Sequence, residues 1–374
     1  MSGPTADIAV ADLSGPDAAD ALARLRTLGP LVRVPALGGW LTTTHDLAGA
    51  VLRDPTTYTV DDPRFSTAQV VGPSMLSTDG AEHRRHRTPF APPFRTARLE
   101  ERFGERVRVL AADLVDAVRP DGRADLRAGL AGPLSVLVIA EALGLHDVTA
   151  PTVLGWYAAI VGAVSTITEG GTPDASSRAA IDDLADAVRR HLDASPVLGG
   201  ARGALSEAEV VSNAAVMMFG GIETTEAMIC NALVHLLALD PAPADDLLGA
   251  VVEESLRLEP AAAFVDRYAT RDTDVGTTRV RRGDLVRVSL AAANRDPAVF
   301  EHPDVFDPRR PGLHRQVAFA RGPHACVAMD LARLETVVAL RTVRDRLPGV
   351  RLEEPAPVRG LVFRKPARVA VRWR

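Results

Sequence analysis

The sequence contains few of the residues that build cross-linked or sheet-rich proteins. Its 374 residues include only two cysteines, Cys230 and Cys326, and a single lysine, Lys365. Two cysteines cannot form a disulfide framework, so we expect a reducing, cytoplasmic compartment. Aromatic residues make up 4% of the chain. Abundant Ala, Leu and Val beside so few aromatic residues favour helix over strand.

Long apolar runs and long basic blocks are also missing. The most apolar stretch, residues 128–140, contains Gly129, Gly132 and Pro133 and is too short to cross a bilayer. We interpret it as a buried helix. The first 20 residues are small and acidic, without the charged start and apolar run of a signal peptide. With a net charge of -5, we expect neither a membrane nor a nucleic acid as partner.

The clearest helix is predicted over residues 206–239. Ser206 and Glu209 form a capping-box pattern, Leu205 and Val210 stand at hydrophobic-staple positions, and Asp240-Pro241 ends the helix. Two more helices are expected over residues 246–258 and from just after Cys326 to residue 347. Strand-like alternation appears at residues 278–288, with a turn at 282–284, and a short strand pair is expected within residues 358–374. The pattern predicts a mainly α protein with small β-sheets.

Cys326 lies in a loop, residues 319–326, that opens onto the last of these helices. A thiolate at a helix N-terminus faces unpaired backbone N–H groups and the positive end of the helix dipole, which predicts a lowered pKa and a metal-binding cysteine. Gly322 lets the backbone turn tightly, and Ala328 is small enough for the first helical turn to lie against a flat ligand. The alternative is a buried structural cysteine, which is the commoner role of an isolated cysteine.

Residues 319–333 resemble the haem-binding loop of the cytochrome P450 family, whose pattern is Phe-Gly-x-Gly-x-His-x-Cys-x-Gly. The chain keeps Phe319, Gly322, His324 and Cys326 and departs at Ala320 and Ala328. Ala320 predicts that the backbone there is not strongly left-handed.

Further matches to the family follow in the right order along nearly the whole chain. They are Gly220-Gly221-Ile-Glu223-Thr224-Thr225 on the central helix, Glu254-Ser-Leu-Arg257, Asn294-Arg-Asp-Pro297 and Arg310 in Phe306-Asp-Pro-Arg-Arg310. The resemblance implies that Glu254, Arg257 and Arg310 form a structural cluster, with Arg309 as the competing third member. Between the central helix and Glu254 the chain is shorter than usual, so one family helix is expected to be abbreviated.

The resemblance implies one triangular domain over residues 1–374, with residues 1–17 a flexible N-terminal segment. Haem b would lie between the central helix and the cysteine-bearing helix, with Cys326 as the axial ligand of its iron. His83 and Arg87, together with Arg267 and His324, match the residues that bind the haem propionates. His83 and Arg87 stand at i and i+4 on one helical face, whereas His86 lies off it and is expected to be solvated. Arg84, Arg85 and Arg95 are expected at the surface as a basic patch for an acidic ferredoxin.

The activity that the resemblance implies is a monooxygenase reaction. Thr224 would hold a distal water by its hydroxyl, Glu223 would pass protons inward, and Gly220 would leave space for oxygen. The alternative role of the two glycines, Gly220 and Gly221, is close packing on a neighbouring helix. Electrons would come from NAD(P)H through a ferredoxin and a ferredoxin reductase. The chain is expected to act as a monomer.

Three other functions compete with this one. A non-catalytic helper would be marked by loss of the cysteine, a haem carrier or sensor would not need Glu223 and Thr224, and a peroxide-using variant would be expected to alter that pair.

The substrate is not readable from the sequence. By resemblance, the pocket draws on residues 58–75, the helices that flank Gly170-Gly171, the loop at Phe264, the turn near Leu361 and the central helix before Thr224. Most residues on that helix face are apolar, which suits a hydrophobic or mid-sized organic molecule, and the composition suggests a bacterial natural-product pathway. Asn213 on the same face is either a substrate contact or a helix-surface residue.

Overall fold

A computed structural model of the protein describes residues 3–168, 171–172, 175–193, 195, 197–241 and 243–373. Its α-helices, numbered in chain order, are α1 (Val10–Ser14), α2 (Ala18–Leu28), α3 (His45–Arg53), α4 (Ser66–Val71), α5 (Gly80–Arg87), α6 (Thr96–Leu99), α7 (Glu105–Val118), α8 (Gly132–Ala142), α9 (Ala150–Thr168), α10 (Ala175–His191), α11 (Glu207–Leu237), α12 (Leu248–Leu258), α13 (Leu290–Asn294) and α14 (Met329–Arg346). Its strands are β1 (Leu31–Val34), β2 (Gly39–Thr42), β3 (Tyr58–Thr59), β4 (Arg123–Asp125), β5 (Phe264–Ala269), β6 (Thr273–Val275), β7 (Thr278–Val280), β8 (Leu285–Ser289), β9 (Arg351–Leu352), β10 (Val358–Arg359), β11 (Lys365–Pro366) and β12 (Ala370–Arg372). The predicted class, mainly α with small sheets, is confirmed.

Helix α11 runs through the centre of the main apolar core. It packs against α8, α12 and α14, whose buried side chains belong to the same cluster. The predicted capping box starts the helix, because the Glu209 carboxylate accepts from the Ser206 backbone N–H at 2.8 Å and the Ser206 hydroxyl accepts from the Glu209 N–H at 3.4 Å. The predicted buried helix at residues 128–140 is α8 with a π-helical turn before it. In the described residues between α11 and α12, the only helical segment is a 3₁₀ turn, Asp245–Leu247, so the expected abbreviation is confirmed.

The largest sheet has the strand order β1-β2-β8-β5-β3 and covers a second apolar cluster. Strand β5 pairs antiparallel with β8, which sets Arg267 opposite Val286. The predicted strand stretch at 278–288 forms β7 and β8, which lie in different sheets because β7 pairs with β6. The predicted C-terminal pair forms from β10 and β11, whereas β12 joins β4 and β9. No helix in the described part of the chain is long and apolar enough to cross a membrane.

The N-terminal segment is packed, so the prediction that residues 1–17 are flexible is wrong for its described part. Residue Ala6 donates its backbone N–H to Arg33 at 2.9 Å. Leu13 in α1 is buried against α2 and the largest sheet. Arg364 donates to the carbonyl oxygens of Leu13 and Gly15. The contacts of Arg364 were not predictable locally, because this residue lies 349 to 351 positions further along the chain.

The Glu254–Arg257–Arg310 cluster joins α12 to the segment that leads into the cysteine loop. Both Glu254 oxygens accept from Arg257, each at 2.7 Å, and Arg310 Nε donates to Glu254 at 3.1 Å. All three side chains are buried, whereas Arg309 is exposed, so Arg310 is the third member. The arginines also donate to the carbonyls of Asn294, Pro303 and Val305. A buried carboxylate with two cations is stable only while every charge keeps its partners, so the cluster fixes the path of this segment.

The cysteine loop has a left-handed residue where the family pattern has glycine. Ala320 has a φ of 56°, so the prediction from its side chain is wrong. Its methyl group packs against the apolar cluster under the largest sheet, which offsets part of the conformational cost. Gly322 also has a positive φ, of 74°, and a Cβ there would lie 2.3 Å from the Leu52 carbonyl oxygen. The loop therefore needs glycine at position 322 and tolerates alanine at position 320.

We expect Ala320→Gly to stabilise the protein by about 0.5 kcal/mol. Relief of the left-handed alanine is worth about 1–2 kcal/mol, and about 1 kcal/mol of it is lost through a more flexible unfolded chain and the missing methyl contact. The matched control is Ala325→Gly, since Ala325 has an ordinary φ of -55°, and it should destabilise by about 1 kcal/mol. The measurement is the free energy of unfolding in urea, and an equal loss in both variants would contradict the strain at Ala320.

Candidate active site

Cys326 lies three residues before α14 begins, and its backbone N–H donates to the Phe319 carbonyl at 2.9 Å, which closes the loop. Part of the side chain is exposed, yet the surrounding protein is dense. Burial raises the pKa of the Cys326 thiol, and the Ala328 N–H, Arg87 and Arg333 lower it only in part. The sequence predicts that the helix terminus lowers the pKa of Cys326, but in the protein without a ligand the effect of burial is larger. A thiolate here needs a further positive partner, such as a metal ion.

The predicted propionate-binding residues come together around the loop. His83 and Arg87 lie on α5, and the rings of His83 and His324 are 4.2 Å apart between centroids. Arg87 donates to the Ala325 carbonyl at 2.6 Å. Arg267, on β5, is buried and donates to the Asp266 carbonyl at 2.8 Å.

Arg87 and Arg267 form no salt bridge with a carboxylate among the described residues. Burial, followed by the positive neighbours His324 and Arg87, lowers the pKa of His83 to about 4. Burial also lowers the pKa of Arg87 and of Arg267. The Nε2 atom of His83 is buried without a hydrogen-bond partner among the described residues. The set therefore fits an anionic group such as the propionates of haem b, beside a cysteine suited to its iron.

Asp79 organises this cluster and was missed in the sequence. Its Oδ1 lies 2.7 Å from His324 Nε2, and its Oδ2 accepts from Thr59 at 2.6 Å and from the Val60 N–H at 2.9 Å. Burial opposes ionisation, but these hydrogen bonds outweigh it and lower the pKa of the carboxyl. Because Asp79 also immediately precedes α5, it ties β3, α5 and the cysteine loop together. The sequence carried one signal that could have identified Asp79. An Asp directly before a helix whose first turn contains an acidic residue, here Glu82, is typical of an N-cap.

The two glycines of α11 have different surroundings. A Cβ at Gly220 would meet nothing within 4 Å, whereas a Cβ at Gly221 would lie 2.9 Å from the Ile139 side chain. Gly220 thus leaves open space one turn from Thr224, and Gly221 allows α8 to approach. The hydroxyl of Thr224 donates to the Gly220 carbonyl at 2.5 Å. The packing interpretation is confirmed for Gly221, and the role of the space at Gly220 stays a prediction.

Glu223 is held by two residues that sequence reasoning did not connect with it. Tyr157 on α9 donates to Glu223 Oε2 at 2.5 Å, and Lys365 Nζ lies 2.8 Å from Oε1. Lys365 also lies 2.5 Å from Glu226 Oε2, one turn further along α11. The one feature of the sequence that could have drawn attention to Lys365 is that it is the only lysine of the chain.

Asn213 and His86 form a buried link between α11 and α5. The Asn213 carbonyl oxygen accepts from the Met75 N–H at 2.9 Å, and its Nδ2 lies 2.8 Å from His86 Nδ1 and donates to the Glu209 carbonyl at 2.7 Å. Both side chains are buried. The prediction of a solvated His86 is wrong, and Asn213 is neither a helix-surface residue nor free to orient a substrate.

Cys230 belongs to the main core, as predicted. It is fully buried, and burial raises the pKa of its thiol. Of the predicted pocket segments, Gly170 lies outside the described residues, and Phe264 is buried. The Phe219 ring on α11 lies 6.3 Å from the Tyr157 ring and 5.6 Å from the Phe363 ring, both between centroids. An aromatic row therefore joins α9, α11 and the C-terminal segment near the predicted Leu361 turn.

Comparison with known proteins identifies one family. The sequence profile described as Cytochrome P450 matches residues 246–345. The chain is 34% identical to the cytochrome P450 monooxygenase PikC of Streptomyces venezuelae, over 94% of this chain and 91% of that protein. It is also 34% identical to nocardicin C N-oxygenase of Nocardia uniformis subsp. tsuyamanensis, over 94% of each.

A solved structure shares the fold over almost the whole chain. It is that of P450BioI in complex with an acyl carrier protein ligated to hexadec-9Z-enoic acid. It superposes with a TM-score of 0.86 at 27% identity, over 96% of this chain and 99% of that one. Together with the cysteine loop, the buried cations and the residues of α11, these similarities show that the chain belongs to the cytochrome P450 family of monooxygenases.

Proposed function

We propose that Cys326 binds the iron of haem b and that the protein inserts one oxygen atom of O2 into a hydrophobic or mid-sized organic substrate. The observation that carries the proposal is the half-buried thiol of Cys326 together with Arg87 and Arg267, which form no salt bridge among the described residues, and the unpartnered Nε2 atom of His83. Haem with a thiolate ligand supplies the activation of O2. In the balanced reaction, the substrate, O2, two electrons and two protons give the hydroxylated product and water.

The chain contributes proton supply and space on the side of α11. Gly220 leaves room for the oxygen molecule, and the Thr224 hydroxyl, which donates to the Gly220 carbonyl, accepts a hydrogen bond from a water beside it in this proposal. Glu223 takes a proton from solvent, passes it inward and returns to the carboxylate in each cycle. The presence of this pair argues against a peroxide-using variant and against a haem carrier or sensor, and the presence of Cys326 argues against a non-catalytic helper.

Electrons come, in this proposal, from NAD(P)H through a ferredoxin reductase and a ferredoxin. Of the predicted basic patch, Arg84 and Arg95 are exposed, but Arg85 is bound to Glu82 and Glu209. A second set of arginines, Arg53, Arg315 and Arg321, surrounds the cysteine loop, and none of the three pairs with a carboxylate in the described part of the chain.

The three arginines of this second set repel one another, so an acidic partner that binds there is favoured. Burial, followed by the charges of Arg53 and Arg315, lowers the pKa of Arg321. Gly322 brings the loop against α3, which ends at Arg53. We place the ferredoxin on these three arginines, since an acidic surface there lies next to Cys326 and relieves their repulsion.

The proposed substrate is a natural product of a bacterial pathway, in line with the names of the related monooxygenases. The aromatic row of Tyr157, Phe219 and Phe363 offers it an apolar wall. We also propose that the protein works as a monomer in the cytoplasm.

Thr224→Ala should uncouple the reaction without loss of haem. The variant lacks the hydroxyl that orders the distal water, so O2 and reductant are consumed while peroxide replaces product. We expect the ratio of product to NAD(P)H consumed to fall by roughly half or more in Thr224→Ala. In Glu223→Gln we expect turnover to slow by about 10- to 100-fold, because an amide relays no proton.

The matched control is Thr225→Ala, since Thr225 is buried and points about 100° away from Thr224 around the helix, so the variant should keep its coupling. Product, NAD(P)H and peroxide are measured together. Wild-type coupling in Thr224→Ala would refute the proposed role of the Thr224 hydroxyl. Loss of haem in that variant would show that Thr224 contributes to haem binding and not to proton supply.

Arg53→Glu should weaken electron delivery by the ferredoxin. Because charge steering controls such encounters, the KM for ferredoxin should rise about tenfold at low salt and the difference should shrink as salt is added. Arg351→Glu reverses an exposed charge on β9 and should leave the KM unchanged. An unchanged KM in Arg53→Glu would move the docking surface elsewhere.

A further inference from the structure

Lys365 stands between two carboxylates of the central helix. Its Nζ lies 2.8 Å from Glu223 and 2.5 Å from Glu226. The three side chains are largely buried, with exposed fractions of 13% for Lys365, 17% for Glu223 and 13% for Glu226. The attraction between these charges is screened less by water than that of a surface pair, and removal of either partner leaves a shielded charge uncompensated.

Helix α9 and the turn before α8 contribute to the same cluster. Tyr157 donates from α9 at 2.5 Å, and Arg127 pairs with Glu226 at 2.7 Å and donates to the Ala367 carbonyl at 2.8 Å. The cluster thus holds two carboxylates, two cations and one phenol. Burial and the hydrogen bond to Glu223 raise the pKa of Tyr157, so the phenol stays a donor.

Both oxygens of Glu223 are occupied in this arrangement. Lys365 contacts Oε1 and Tyr157 contacts Oε2, whereas the Thr224 hydroxyl donates to the Gly220 carbonyl. No hydrogen bond joins Glu223 to Thr224 among the described residues. Each oxygen keeps a second lone pair, but a carboxylate held on both oxygens cannot turn toward Thr224 without leaving at least one partner.

We propose that Lys365 and Tyr157 are positioning residues that hold Glu223 in a resting orientation, and that release from them limits the proton supply to the Thr224 side. The inference rests on the proposed proton-relay role of Glu223. It adds that the C-terminal strand β11 and helix α9 control that role from outside the central helix.

The test is product formation by the haem-loaded enzyme with saturating reduced ferredoxin, measured in H2O and in D2O. We expect Lys365→Met to raise the rate by about fivefold, equal to about 1 kcal/mol in the barrier, and to reduce the solvent isotope effect. Tyr157→Phe should change both in the same direction. Lys365→Arg should behave as wild type, because it keeps the cation.

Arg368→Met is the matched control, since Arg368 is a more exposed cation of the same segment that lies 4.0 Å from Asp125. It should leave the rate and the isotope effect unchanged. The reduced CO spectrum should be the same in all variants, which excludes an effect through haem binding.

A double-mutant cycle separates this inference from the proposed function. In a Glu223→Gln background, Lys365→Met should give no gain, because the carboxylate that it releases is absent. If Glu223→Gln itself has the wild-type rate and isotope effect, the relay role fails and the inference with it. If Glu223→Gln is slow but Lys365→Met has wild-type or slower turnover with an unreduced isotope effect, only the inference is overturned.

Discussion

The placement of the Cys326 thiol with Arg87 and Arg267, two arginines that form no salt bridge among the described residues, is the constraint on which the rest of the structure depends. Burial raises the pKa of this thiol, and the buried His83 and Arg267 and the half-buried Arg87 form no salt bridge among the described residues. Such an arrangement is costly until a ligand with a metal ion and negative groups enters. Haem b supplies both, so binding of the cofactor and stability of this region are expected to be linked.

The surrounding scaffold is arranged to keep these groups in place. The Glu254 cluster fixes the segment before the cysteine loop, Gly322 brings the loop against α3, and Asp79 joins the loop to α5 and β3. The central helix α11 has open space at Gly220, while Gly221 lets α8 pack closely. Each contact links segments that are far apart in the sequence, so the site forms only in the folded chain.

Sequence reasoning predicted what depends on local patterns. The capping box of α11, the helix after Cys326 and the contact of Glu254 with Arg257 follow from spacings of three or four residues. It failed where tertiary contacts decide. His86 is buried beside Asn213, Ala320 is left-handed with its methyl packed against the sheet's apolar cluster, and Lys365 reaches Glu223 across 142 positions of the chain. None of these partners is visible in a local window.

The most direct test of the central claim is the spectrum of the reduced CO complex. A thiolate ligand gives the strongly red-shifted Soret band for which the family is named, and a serine at position 326 cannot. We predict that Cys326→Ser lacks this band while Cys230→Ser, altered in the apolar core, retains it. Survival of the band in Cys326→Ser would contradict the account.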